Sequence, residues 1–340
     1  MNITQTKRRV AVIGGSGFIG YHLAMYLSDI FDVKVLDVVE PERGGKRIDY
    51  VDCDIRDCDR LEKSLEDVDL VVHSAIVQIP LINQQKRLGY EVNVVGTQNI
   101  CEIVSRNSRI KGMILVGTWH TIGEKGIKGT VDERFGFRPD KVEERARFYA
   151  LSKVSQESIV RLYDEITPKK VFGIIRIGTA LGLDMPEETA ANIFIKRGLE
   201  GGTITPYRHS LHRPMLYIDI KDVCRGFQQF ALKVLNECFE EKNNSLEHII
   251  NLYHPKPMTI LELAKNVQKA IAKQTRNTIV PKIEIIDKGE PAPSREDYTG
   301  RIKVDISKAQ KILCLKRLRD PKRSIENIVK YKTSHQKAKT

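Results

Sequence analysis

Arg8-Arg9-Val10-Ala11-Val12-Ile13-Gly14, continued by Gly15-Ser16-Gly17-Phe18-Ile19-Gly20, decides how this chain is read. The apolar run has the length and β-branched content of a buried strand, and residues 18–28 carry a helical pattern. The glycines between them satisfy both G-x-G-x-x-G from Gly15 and G-x-x-G-x-x-G from Gly14. Glycine lets the backbone turn sharply and approach a pyrophosphate, which then meets the positive end of the following helix. A glycine pattern alone says little. Set between a strand and a helix, it predicts a dinucleotide-binding loop in which Gly14, Gly17, Phe18, Ile19 and Gly20 contact the cofactor.

Downstream, the same strand–helix rhythm continues. Strands are expected at 33–39, near 50–51, and at 68–75, 112–118 and 171–177; helices are expected at 57–65, 90–106 and 146–165. This alternation predicts an α/β fold, a Rossmann-like doubly wound parallel sheet with helices on both faces. After residue 178 the rhythm loosens, with helices expected near 190–200, 222–240 and 259–273, strands at 246–253 and 281–287, and a loop at 288–297. The expected division is a dinucleotide-binding domain at 1–178, rejoined by about 215–250. A smaller, interleaved C-terminal substrate domain then takes 179–214 and 251–330, and 331–340 is a basic flexible tail.

Composition bounds the answer further. A chain of 340 residues can bury a large core without disulfides or metal, and 41% hydrophobic with 29% charged residues is ordinary for a soluble protein. No apolar run approaches the roughly 20 residues of a membrane-spanning helix, so no membrane partner is expected. The six cysteines (Cys53, Cys58, Cys101, Cys224, Cys238 and Cys314) form no C-x-x-C pair. They read as small buried hydrophobes in a reducing cytoplasm, with no metal site. Of the formal charge of +12, much lies in residues 316–340, where nine Lys/Arg face Asp320 and Glu326. Such a tail could meet an acidic partner, but only Tyr331 offers an aromatic face; a solvated, fraying terminus is expected and a nucleic-acid partner is not.

Four side chains carry the chemistry. Asp37 stands 17 residues after Gly20, at the end of the expected second strand. A carboxylate there accepts hydrogen bonds from ribose hydroxyls and repels a 2′-phosphate, which favours NAD over NADP. Tyr149 and Lys153 lie four apart in an expected helix and so share a face. A tyrosine titrates near 10, and bringing it close to neutrality takes about 4 kcal/mol. One cation about 4 Å away supplies about that much at an effective dielectric of 20. Lys153, with the positively charged nicotinamide, is expected to provide it. Thr118, at the end of the expected fifth strand, would hold a substrate oxygen.

With these residues in place, the chain resembles the extended short-chain dehydrogenase/reductase superfamily, in particular its NAD-dependent nucleotide-sugar epimerase/dehydratase branch. The resemblance runs from about residue 8 to about residue 330. It rests on GGSGFIG (14–20), Asp37, Asp54-Ile55-Arg56-Asp57, VDLVVHSAI (68–76), the Asn93–Thr97 stretch, Thr118 and YALSK (149–153). RIGTALG (176–182), LYIDIKDV (216–223), TILELA (259–264) and Arg295 ten residues before Asp305 continue it. The resemblance implies NAD as cofactor, Thr118, Tyr149 and Lys153 in the catalytic positions, and Asp54 and Ile55 flanking the adenine. Ala75 and Asn93 join the cofactor-binding set. It also implies a nucleotide-sugar substrate and a homodimer formed through helices near 90–106 and 149–165.

The chain departs from its relatives at several points. Trp119 and His120 stand where sugar 4,6-dehydratases carry an Asp-Glu pair, which argues against dehydration. Thr179 replaces an asparagine that often helps bind the nucleotide phosphates. His120 is either a pocket-lining histidine or a second acid/base group. Arg213 and Arg295 are candidates to clamp a diphosphate, with salt bridging as the other reading. Asn192 and His73 are expected to face the cleft, in structural roles or at the substrate. The leading expectation is a 4-epimerase-like enzyme working through a transient 4-keto sugar. A net dehydrogenase or reductase of a sugar or other secondary alcohol is the first alternative. A non-catalytic regulatory or RNA-binding member is the second.

Overall fold

The computed structural model describes residues 7–41, 48–239, 246–292 and 302–337. In chain order it forms β1 (Arg9–Ile13), α1 (Phe18–Leu27), β2 (Asp32–Asp37), β3 (Ile48–Asp52), α2 (Cys58–Ser64), β4 (Leu70–His73), α3 (Leu81–Gln84), α4 (Lys86–Tyr90), α5 (Gly96–Arg106), β5 (Gly112–Thr118), β6 (Gly129–Val131), α6 (Arg147–Ile166), β7 (Val171–Ile177) and β8 (Thr179–Leu181). There follow α7 (Ala190–Leu199), β9 (Pro214–Met215), β10 (Tyr217–Asp219), α8 (Ile220–Leu235), β11 (Ile249–Leu252), β12 (Met258–Thr259), α9 (Ile260–Gln274), β13 (Ile302–Val304), α10 (Ser307–Ile312) and α11 (Pro321–Lys337).

Seven strands make one sheet in the order β11-β7-β5-β4-β1-β2-β3, and every pairing in it is parallel. The fold is therefore the Rossmann-like α/β fold that the strand–helix rhythm predicts. Both faces of a parallel sheet are covered, so its central strands are apolar throughout: Val10–Ile13, Leu70–Val72 and Met113–Leu115 are buried. On one face, α1 and α8 pack through Leu23, Leu27, Phe227 and Phe230; on the other, α5 and α6 pack through Ile100, Val104 and Val160. The strand order reverses between β1 and β4, and a crevice opens there at the carboxyl ends of the strands.

The later elements share the hydrophobic core of the α1/α8 face. Phe194 and Ile195 of α7, Leu263 and Val267 of α9, and Ile325, Ile328 and Val329 of α11 belong to the same buried cluster as Val10 and Phe227. Short ladders tie this region to the rest: β8 with β10 and β6 with β13, both parallel, and β9 with β12, antiparallel.

Several expected elements differ. The helix expected at 90–106 starts as α4 and passes through a π-helical turn at Glu91–Val95 before α5. The helix expected to reach 240 stops at Leu235, where Glu237 adopts a left-handed φ of 55° and the Cys238 N–H donates to the Lys233 carbonyl. The strand expected at 281–287 reduces to two isolated bridges, Ile204 with Ile283 and Tyr207 with Ile286, because Pro206 has no N–H to extend the ladder. Cys53, Cys101 and Cys224 are buried as expected, but Cys58, Cys238 and Cys314 are exposed. Among the described residues no helix is long and apolar enough to cross a membrane, and no group of three or more His, Cys, Asp or Glu could hold a metal ion.

The terminus from 316, expected to fray, instead builds α11. Its cations Lys322, Arg323 and Lys330 point outward, while Ser324, Ile325, Ile328 and Val329 form a buried stripe at helical spacing. The Ser324 hydroxyl donates to Asp219 at 2.6 Å, and the Arg319 N–H donates to Asp222 at 2.6 Å. Ile325 is fully buried, so Ile325→Ala is expected to destabilise the protein by about 2–5 kcal/mol in urea unfolding. A frayed terminus would leave the midpoint unmoved.

Candidate active site

A cleft of about 830 Å³ lies at the sheet's switch point, lined from end to end by Gly14, Ser16–Ile19, Asp37–Val39, Asp54–Arg56, Ser74–Gln78, Val116–His120, Tyr149, Lys153 and Ile177–Ala180. Its floor is the turn between β1 and α1. Gly14 has a φ of +78°, and a Cβ there would sit 2.3 Å from the Ala75 nitrogen; one on Gly20 would sit 2.0 Å from the Gly14 carbonyl oxygen. Gly17 caps α1 in extended conformation, and its nearest neighbour to a Cβ would be the Gly14 oxygen at 3.6 Å. Phe18 and Ile19 line the cleft beside it. This bare, concave backbone at a helix N-terminus fits an extended dinucleotide.

Asp37 ends β2 at the cleft wall, where its carboxylate accepts from the Ser16 N–H at 2.9 Å and the Val39 N–H at 3.3 Å. These bonds hold it beside the glycine turn. Asp54 is clamped by the Arg56 guanidinium at 2.6 Å, which holds its carboxyl below the usual range. Ile55 is buried and packs on Gly96, where a Cβ would lie 2.4 Å from its Cδ1. Asn93 is not on the cleft surface: it sits in the π turn, accepts from the Val77 N–H at 2.7 Å, and donates to the Val77 carbonyl and the Ser152 hydroxyl. It fixes the wall that Val77 forms.

At the opposite end, Thr118 closes β5 while Tyr149 and Lys153 share one face of α6. The Thr118 hydroxyl and the Tyr149 phenol both line this end of the cleft. Lys153 Nζ donates to the Val116 carbonyl at 2.8 Å and to Gln156 Oε1 at 2.7 Å. Burial pushes Lys153 down to about 7 against the pull of Glu157, and pushes Tyr149 up to about 12, eased by the nearby Thr118 hydroxyl. The acidification of Tyr149 by Lys153 expected from their spacing is therefore not a property of the protein alone: the ammonium is held by groups beneath the tyrosine.

The substrate-side residues are placed differently from expectation. Arg213 is buried and paired with Glu124 at 2.8 Å and Glu143 at 2.5 Å, so it is a structural cation rather than a free phosphate clamp. Asn192 donates to the Met185 carbonyl at 2.8 Å and accepts from Lys332 at 2.9 Å, away from the cleft. His73 is fully buried, bonded to Thr97 at 2.9 Å, and held neutral because burial drives it down to about 3. Thr179 does line the cleft and accepts from the Trp119 indole N–H at 3.2 Å. Arg295 lies outside the described residues. His120 lines the cleft with its ring edge-on to Tyr149, 5.8 Å between centroids. Its Nδ1 is 3.0 Å from the Thr118 hydroxyl and its Nε2 is 3.0 Å from Glu124.

Glu124 and Glu143 escaped the sequence reading. The four-residue spacing of His120 and Glu124 was the available signal for the first, and Glu143 gave none, since its partner Arg213 is 70 residues away.

A parallel sheet with a dinucleotide cleft at its switch point defines a Rossmann-fold nucleotide-binding protein. The chain belongs to the NAD dependent epimerase/dehydratase family, whose sequence profile matches residues 10–240, and NAD is the cofactor of that family. An uncharacterized protein of Methanocaldococcus jannaschii is 26% identical over 95% of this chain and 94% of its own. A 3β-hydroxysteroid dehydrogenase/Δ5→4-isomerase of vaccinia virus is 33% identical, but over 26% of this chain and 28% of its own. Among solved structures, the UDP-glucose 4-epimerase of Thermotoga maritima superposes with a TM-score of 0.76 at 19% identity, covering 96% of this chain and 99% of the other. The dTDP-glucose 4,6-dehydratase of Bacillus anthracis does so with a TM-score of 0.74 at 19% identity, covering 97% and 98%. At these identities the structures share the fold.

Glu124 yields a pH prediction. Burial alone would raise its carboxyl, but the Arg213 guanidinium and the His120 hydrogen bond outweigh it and hold the group down at about 2, against an ordinary 4.5. A depressed carboxyl stabilises the fold fully above its unfolded pKa and loses that contribution as pH falls through the folded one. Between pH 4.5 and 2 this amounts to roughly 3 kcal/mol. Glu124→Gln is expected to flatten that part of the stability–pH curve in urea titrations. An unchanged slope would contradict the assignment.

Proposed function

We propose that the protein is a nucleotide-sugar 4-epimerase in which Thr118, Tyr149 and Lys153 form the catalytic set. The observation that carries this reading is the convergence of the three at one end of a dinucleotide cleft. NAD, when bound, supplies a reversible hydride acceptor. Gly14, Gly17, Phe18, Ile19 and Gly20 would hold its pyrophosphate, Asp37 a ribose, and Ile55 and Ala75 the flat sides of the cleft. Tyr149 takes the proton of the sugar hydroxyl and returns it after the ketone has presented its other face. Thr118 orients the oxygen. Lys153, anchored on Val116 and Gln156, fixes the floor beneath the phenol.

A second reading rests on a specific observation. Arg213 is taken up by two carboxylates and Thr179 by Trp119, while Ile76, Val77, Leu81, Leu88 and Val92 line the same cleft. That favours an apolar secondary alcohol oxidised or reduced in net turnover. The two readings separate on incubating the purified holoenzyme with UDP- and GDP-sugars. Epimerisation gives the C4 epimer with no accumulation of NADH in near-ultraviolet absorbance. NADH formed in step with a ketone product would establish the dehydrogenase instead.

A homodimer through α5 and α6 is part of the proposal. Leu151 and Leu162, eleven residues apart and so on one face of α6, are 45% and 51% exposed, and Val95 before α5 is 41% exposed. Light scattering is expected to show a dimer that Leu162→Glu dissociates. A wild-type monomer at micromolar concentration would refute it.

A further inference from the structure

We infer that the outer face of α9 and α11 is a docking surface for an anionic phospholipid bilayer, on which the protein rests peripherally. None of its residues lines the cleft, so the inference stands apart from the reaction proposed above.

The face is built from two rows of exposed cations. Lys265, Lys269 and Lys273 recur every four residues along one side of α9, with Arg276 just past its end, and Lys322, Arg323 and Lys330 lie along α11. Lys273 bonds Glu326 across the seam at 3.4 Å, and Glu326 stands midway between Lys322 and Lys330, so the two rows share one surface. Among the described residues this is the one ion pair that the seven cations make. The other acids on these helices are engaged with the backbone: Glu262 closes the capping box of α9 with Thr259, and Asp320 accepts from the Lys322 N–H at 2.9 Å. Elsewhere exposed arginines lie on carboxylates, Arg60 on Asp52 and Arg106 on Glu62 among them.

Helix stability does not account for these charges. Like charges four residues apart repel, and the α9 row repeats that contact along its length. Lys322 and Arg323 occupy the first turn of α11, where the helix dipole disfavours positive charge and no acid within the turn offsets them. A counter-charge from outside relieves both. Its chemistry follows from the rest of the face. Five of the seven cations are lysines, point charges that suit a diffuse layer of headgroup phosphates better than the planar, paired contacts that arginine makes to nucleic acid. Val280, four residues beyond Arg276, and Tyr331, beside Lys330, are 58% and 45% exposed. An apolar side chain finds no apolar partner on a nucleic-acid backbone, whereas beneath lipid headgroups it enters the acyl boundary.

The test is flotation of the purified full chain with vesicles of phosphatidylglycerol and phosphatidylcholine. The protein is expected to float with them at about 0.05 M salt and to stay behind with pure phosphatidylcholine. At about 0.5 M salt, where screening shortens to a few ångströms, it is expected to be released. The triple variant Lys265→Gln/Lys269→Gln/Lys330→Gln is expected to lower the partition coefficient by roughly 10²-fold, at about fivefold per charge. Lys63→Gln/Lys86→Gln/Lys125→Gln removes the same charge from exposed positions elsewhere and is expected to leave binding nearly unchanged. Val280→Ser/Tyr331→Ser is expected to weaken flotation several-fold without altering its salt dependence, and indifference to that change would overturn the bilayer as partner. A wild type that does not float with anionic vesicles, or equal losses in the two triple variants, would overturn the docking face. Duplex DNA bound more tightly than vesicles at the same salt, and lost in the first triple variant, would assign the face to nucleic acid instead.

Discussion

The contact between Gly14 and Ala75 is the constraint on which the rest of the molecule hangs. Three backbone segments meet there: the end of β1, the end of β4 and the first turn of α1. A methyl group on Gly14 would overlap the Ala75 nitrogen at 2.3 Å, and one on Gly20 would overlap the Gly14 oxygen at 2.0 Å. Such overlaps cannot be relieved by a rotamer change, because the opposing atoms are backbone. The turn therefore exists only with glycine, and its tightness sets the depth of the crevice between β1 and β4. That crevice admits a pyrophosphate at one end and brings the ends of β5 and α6 within reach of the same groove. The position of Thr118, Tyr149 and Lys153 is inherited from it.

Around this frame the protein buries charge in matched groups. Arg176, at the end of β7, pairs with Glu157 of α6 and donates to the Glu133 carbonyl at 3.2 Å. Arg213 sits between Glu124 and Glu143. Removing one partner of such a group strands the other in low dielectric, which is why buried pairs hold geometry more than they add stability. The two groups hold different things. Arg176–Glu157 locks β7 to the helix that carries Tyr149 and Lys153. Arg213 ties its own loop to Glu124 and Glu143 behind His120, which lines the cleft.

Much of this was legible in the sequence because the signals are local. The β1 run and its glycines, the apolar strands and the Tyr149–Lys153 pair each lie within a few residues, and the structure puts each on the element the spacing implies. What was not legible is long-range. Arg213 reads as a phosphate clamp until its partners, 70 and 89 residues away, are seen beside it. Asn93 reads as a cofactor contact until the π turn rotates its amide onto the Val77 backbone. The C-terminal helix was hidden by charge counting: its cations and its buried Ile325, Ile328 and Val329 alternate at helical spacing, so a window of net charge sees only the outer face. Lys153 was placed correctly on its helix, but its electrostatic effect depends on where Val116 and Gln156 direct its ammonium, which spacing does not specify.

The Arg213 cluster reaches the cleft through His120. A guanidinium has five N–H donors in one plane, and at least one nitrogen of Arg213 is already shared between Glu124 and Glu143. Arg213 does not line the cleft, but Glu124, with which it pairs, holds the His120 ring in its orientation toward Thr118. A buried cation placed in this way fixes a side chain of the cleft wall without lining the cleft itself. The cleft itself is lined by apolar side chains and by the hydrogen-bonded Trp119–Thr179 pair. Trp119, His120 and Thr179 are thus one connected unit: Trp119 packs on His120 and donates to Thr179, and His120 reaches the buried Arg213 through Glu124.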